Sequence, residues 1–136
     1  MAAGTGKTAI DMTDLLVLRD VVRDRGSRYA VAGAPASTRA EAEAAVAELR
    51  RDRKFARATH NTWAVLLEAG GRREPLRQDD GEAGAGMVIL RVLEGAGLVN
   101  HVVIVTRWYG GVQLGGDRFR HVATAAKAYL KAREPG

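Results

Sequence analysis

The segment from Asn100 to His121 constrains this chain most. Val102–Val105 is an apolar, β-branched run that reads as a buried strand. Arg107, Trp108 and Tyr109 follow it, and then four glycines within seven positions, Gly110, Gly111, Gly115 and Gly116. Asp117 offers an N-cap, and Phe119, Val122, Ala123, Ala126, Tyr129 and Leu130 fall on one helical stripe. The unit is therefore strand, glycine-rich loop, helix. Glycine there permits positive φ and close approach to the main chain. The first N–H groups of the helix face that loop without partners of their own.

The length of 136 residues fits one domain with a real core. Residues 1–13 read as a flexible tail and residues 14–133 as the domain. The tail contains Gly4-Thr-Gly-Lys-Thr8, which resembles the end of a phosphate-binding loop but lacks the upstream glycine and strand. There is no cysteine, which excludes a disulfide partner, a thiolate nucleophile and a Cys-based zinc site. No apolar run has the length of a membrane span, and no apolar signal core opens the chain, so the expected location is cytoplasmic, with no membrane partner. The formal charge of +5 comes mostly from arginine. It permits phosphate-rich partners, and it also serves solubility alone.

Leu16–Arg23 and Ser27–Gly33 read as paired strands around a turn at Asp24-Arg25-Gly26. Thr38-x-x-Glu41 is a capping box, and Ala42, Ala45, Val46 and Leu49 form one apolar stripe, so a helix is expected from Arg39 to about Arg53. Its basic end, Arg50-Arg-Asp-Arg-Lys54, suits the helix dipole. Trp63–Leu67 reads as a strand and Ala69–Pro75 as an exposed hairpin tip. A helix is expected from Gly84 to Glu94, with Gly95 and Gly97 as terminators. Pattern alone then gives an open-faced α+β sandwich of about four strands and three helices.

Three constellations can carry chemistry. Asp79, Asp80 and Glu82, around Gly81 and with His60 or His101 nearby in the pattern, can cap a helix and pair with Arg107, or gather a divalent cation and act on a phosphoester. The loop Gly110, Gly111, Gly115 and Gly116 can hold a phosphate, but Asp117 opposes an anion there, and tight turning accounts for the glycines equally well. Arg107, Trp108, Tyr109, Arg118 and Arg120, with Arg28, form an arginine and aromatic set that can stack on and neutralise RNA, or simply cover the core. No serine triad is credible, and neither a cofactor nor a metal is required, so a binding role is favoured over an enzymatic one.

Thr106–His121 resembles the signature of the IMPACT/YigZ family. Asp79-Asp80-Gly81-Glu82, Leu93-Glu94-Gly95 and Ala58-Thr59-His60-Asn61 match the same family in order. The resemblance covers roughly Asp20 to Leu130, and Asp117-Arg118 looks closer to the eukaryotic form. It implies a two-layer α/β sandwich of the ribosomal protein S5 domain-two-like type. It also implies a module in translational control that contacts RNA, the ribosome or a translation-associated protein. The alternative is a metal-dependent hydrolase built on the Asp79–Glu82 loop.

Overall fold

The computed structural model describes residues 15–134. The tail expected over 1–13, with its Gly4–Thr8 fragment, lies outside the described residues. The elements run β1 (Leu16–Asp24), β2 (Ser27–Pro35), α1 (Arg39–Leu49), α2 (Arg53–Ala56), β3 (His60–Ala69), β4 (Arg72–Gln78), α3 (Ala85–Ala96), β5 (His101–Trp108) and α4 (Asp117–Arg133). The strands form one antiparallel sheet in the order β1-β2-β5-β3-β4.

β5 is the central strand, and its sequence explains why. Val103 and Val105 face one side with Tyr29, Val31, Ala64 and Leu66, beneath α3 and α4. Val102 and Ile104 face the other with Ala30, Ala32, Trp63 and Val65, beneath α1 and Phe55 of α2. A strand covered on both faces has no polar side to show, so its run is continuous rather than alternating. Burying each such side chain contributes roughly 2 kcal/mol.

The expectation of two layers is thus corrected to three, because helices cover both faces of the sheet. The second face is lined by small residues. Ala30, Ala32 and Ala34 of β2 meet Ala42 and Ala45 of α1, which lets helix and sheet approach closely without a strong hydrophobic signature.

Among the described residues, the expected four strands and three helices become five and four. The extra strand, β4, reads Arg-Arg-Glu-Pro-Leu-Arg-Gln and buries only Leu76. Charge and proline are how an edge strand avoids further pairing, and they also hide it from pattern reading. The extra helix arises where α1 was expected to continue. α1 stops at Leu49, and the Asp52 carboxylate accepts from Lys54 N at 2.9 Å, starting the short α2 whose Phe55 is fully buried. The basic run 50–54 therefore spans the break after α1 and the first residues of α2, and is not a dipole-compensated end of α1. The capping box forms as expected at Thr38, whose hydroxyl accepts from Glu41 N at 3.1 Å, although the Glu41 carboxylate reaches back to Ser37 N at 2.7 Å.

α4 also starts differently. Gly116 is its N-cap, and Asp117 is its first residue, turned to Arg25 at 2.6 Å and Arg120 at 3.2 Å instead of capping. Strands β3 and β5 run longer than expected. The extensions place His60, Asn61, Arg107 and Trp108 inside the sheet, and these residues build the site.

Candidate functional site

At one end of the sheet, β5 lies between β2 and β3 with Tyr29 and His60 paired to either side of Arg107. The Arg107 side chain turns under α4 and is sealed from solvent, as is Glu82 from the loop after β4. Arg107 Nη1 donates to Glu82 Oε2 at 2.8 Å. The same oxygen lies 3.5 Å from Arg118 Nε and 3.9 Å from His60 Nε2. The guanidinium also faces the Tyr29 and Tyr109 rings at 5.7 and 5.6 Å from their centroids. A buried charge needs such partners, because an unpaired one is strongly disfavoured. Tyr29 Oη and Arg107 Nε, both buried here, have no hydrogen-bond partner among the described residues. Burial pushes the Tyr29 hydroxyl up to about 12.

The acidic loop is a frame for this pair. The Asp79 carboxylate accepts from Gly84 N at 3.0 Å and Gly86 N at 2.8 Å and so caps α3. Asp80, at φ 52°, accepts from Asn61 N at 2.7 Å. Its carbonyl oxygen accepts from His60 Nδ1 at 2.9 Å, which fixes the proton on that nitrogen. Gly81 sits at φ 85° over the His60 ring, where an L side chain is strained. The three carboxylates thus point to three different partners. Among the described residues, no group of His, Asp and Glu is gathered so as to hold a metal ion.

The glycine loop is held by close backbone approach. Gly110 packs on the β1–β2 turn, where a Cβ would lie 2.0 Å from Gly26 C. Gly110 N donates to Ser27 Oγ at 3.1 Å, and Tyr109 N donates to Thr59 Oγ1 at 2.9 Å. Gly111 and Gly115 take φ 91° and 57°. Tyr109 is 46% exposed, at the tip of this corner. Behind it, Asp24 accepts from Arg25 at 3.0 Å and pairs with His121 Nε2 at 2.7 Å. Arg25 first, and then His121, hold the Asp24 carboxyl well below the usual carboxylate range.

Not all of the expected arginine and aromatic set faces outward together. Arg107 is inside; Arg118 leans on Glu82, and Arg120 on Asp117. On the opposite face, Arg23 pairs with Arg28, and Arg28 pairs with Trp108, across three neighbouring strands. The half-buried Trp108 stands edge-on to Phe55, donates Nε1 to Lys54 O at 3.0 Å, and lies under Lys54 Nζ at 5.6 Å. Arg23, Arg28 and Lys54 are all exposed. They form a mainly cationic strip beside an aromatic ring, with the exposed Asp20 carboxylate 3.3 Å from Arg23. Of these, sequence reasoning singled out Arg28 and Trp108 and missed Arg23 and Lys54. The turn at Arg25-Gly26 already implied the 23–28 pairing, but nothing local implied that β5 would insert beside β2.

An antiparallel sheet with helices on both faces, closed at one end by a buried Arg–Glu pair and a glycine corner, defines an α+β module. The family model for the Impact N-terminal domain matches residues 25–130, and the chain belongs to that family. It is 35% identical over 111 residues to Protein IMPACT of Mus musculus, covering 80% of this chain and 35% of that protein. It is 32% identical over 116 residues to the Protein IMPACT homolog of Saccharomyces cerevisiae, covering 83% and 45%. The chain therefore spans about a third to a half of these curated relatives. Among solved structures it resembles the two-domain translational regulator Yih1, at TM-score 0.59 and 27% identity, covering 97% of this chain and 53% of that one. It shares its fold with a hypothetical protein of known crystal structure, at TM-score 0.72 and 24% identity, covering 87% and 61%. The family thus includes a translational regulator. Among the described residues, no helix is long and apolar enough to cross a membrane.

Proposed function

We propose that this domain is a non-enzymatic module of translational control that binds single-stranded RNA, free or on the ribosome, along the Arg23–Arg28–Trp108 strip. The observation that carries this reading is the register itself, which sets two arginines and a tryptophan side by side, with the Lys54 ammonium over the indole. Cations neutralise the phosphates, and the half-buried Trp108 indole at the end of the strip offers a base an aromatic contact. Tyr109 stands exposed at the glycine corner next to the strip's end, whereas Arg118 and Arg120 lie on α4 across the sheet, paired with Glu82 and Asp117, and stay outside the contact. The sealed Arg107–Glu82 pair holds the corner's shape and does not meet the ligand. Membership of a family that includes a translational regulator supports the setting.

The test is fluorescence anisotropy with a labelled single-stranded RNA of mixed sequence. Arg28→Ala combined with Lys54→Ala, both at exposed positions, is expected to weaken binding at least tenfold while unfolding at the parent's temperature. Unchanged affinity in that variant would place any RNA site elsewhere. Absence of RNA binding at low salt would leave a protein partner as the reading to pursue.

A further inference from the structure

α3 and α4 pack side by side on the sheet face away from the cationic strip, and their outer surfaces leave a groove of about 550 Å³. Val88, Val92 and Gly95 line it from α3 and Leu130 from α4, with Arg91 on one wall and Lys127 on the other. The three large apolar side chains are half-buried: each backs onto the core and stays open to the groove. Arg91 and Lys127 are exposed, and no carboxylate lines the groove among the described residues.

Gly95 is the informative position. It lies in the last turn of α3, one residue before its end, where glycine is still less favourable than alanine. Gly86, in the same helix, has a packing reason, since a Cβ there would lie 2.8 Å from Asp79 Oδ1. A Cβ on Gly95 would meet nothing within 4 Å. Nothing inside the domain requires glycine there. Its effect is to bare helix backbone in the groove, where another chain can come close.

From these features we infer that the α3–α4 groove docks an amphipathic helix of a partner protein, one whose apolar stripe is flanked by aspartate or glutamate. The apolar lining takes the stripe, and the two cationic walls take a carboxylate on each side. The twelve-residue α3 is about 18 Å long, which a three-turn helix matches. A second copy of this chain fits poorly, because a symmetric contact would set the cations Arg91 and Lys127 of one copy against those of the other. An anionic membrane is too flat to seat in a groove between two helices. The inference stands apart from the RNA reading, since the two surfaces lie on opposite faces of the sheet.

The experiment is amide-resonance mapping of the labelled chain against a synthetic three-turn peptide with leucines at helical spacing and glutamates flanking them. Shifts are expected on α3 and α4, with at least tenfold weaker binding to the Arg91→Glu, Lys127→Glu double variant. A peptide with lysine in place of glutamate is expected to bind that double variant and not the parent. Gly95→Leu, which fills the groove and favours helix, is expected to abolish binding in a chain at least as heat-stable as the parent. No shifts at millimolar peptide, shifts centred on other elements, or equal binding of both peptides to the parent would overturn the inference. So would self-association, or binding to anionic vesicles, that the same variants abolish.

Discussion

Glu82 Oε2 lies 2.8 Å from Arg107 Nη1, and both side chains are almost wholly buried. This pair joins the loop that starts α3 to the central strand, while Arg118 at 3.5 Å brings in the start of α4. One carboxylate therefore ties three elements together at the corner beside the glycine loop. Removing one member of a buried pair leaves the other charge uncompensated. Glu82→Gln is expected to destabilise the domain by about 3 kcal/mol, measured by urea unfolding. Adding Arg107→Met is expected to restore part of the loss, because the stranded charge is gone.

Tyr29 gives the opposite expectation. Its ring is fully buried, and its hydroxyl has no hydrogen-bond partner among the described residues. An unsatisfied buried hydroxyl is unfavourable, so Tyr29→Phe is expected to be neutral or to stabilise by about 1 kcal/mol. A loss above about 2 kcal/mol in the same unfolding assay would show that the hydroxyl has a partner in solution.

Gly110 and Gly33 test close packing. A Cβ on Gly110 would lie 2.0 Å from backbone of the β1–β2 turn, and one on Gly33 would lie 2.4 Å from the Tyr129 ring. Either alanine substitution is expected to destabilise by about 2 kcal/mol or more, since backbone or a core ring must move. Gly70→Ala is a different case. Its Cβ meets nothing within 4 Å, so only the backbone strain at φ 59° acts, and a loss of about 1 kcal/mol is expected.

His101 should make stability depend on pH. Burial holds its imidazole at about 4, below the usual 6.5, with its Nε2 2.6 Å from Tyr129 Oη. The folded state resists protonation that the unfolded state accepts. Its contribution is therefore complete above about pH 6.5 and is lost as pH falls towards 4. Unfolding free energy is expected to drop by about 2 kcal/mol across that window. The drop should shrink in His101→Gln, and a pH-independent parent would contradict it.

The sequence carried the corner better than it carried the layers. Val102–Val105, Asp79–Glu82 and the glycines are adjacent or patterned, and their pairing with Arg107 follows from opposite charge at the end of a buried strand. The layer formed by α1 and α2 was hidden because alanine against alanine packs closely while giving little hydrophobic signal. β4 was hidden because an edge strand is selected to look like a loop. The cationic strip was hidden for another reason. Arg23 and Arg28 share one hairpin, but Trp108 is distant in sequence, and only insertion of the last strand beside β2 brings it abreast of them.

The salt dependence of RNA affinity tests the account most directly. If Arg23, Arg28 and Lys54 each neutralise one phosphate of a single strand, log K should fall with log salt at a slope of about −2, and Arg28→Ala should reduce that slope by about 0.7. Binding indifferent to salt, or a slope that Arg28→Ala leaves unchanged, would contradict a strip that works by neutralising phosphates.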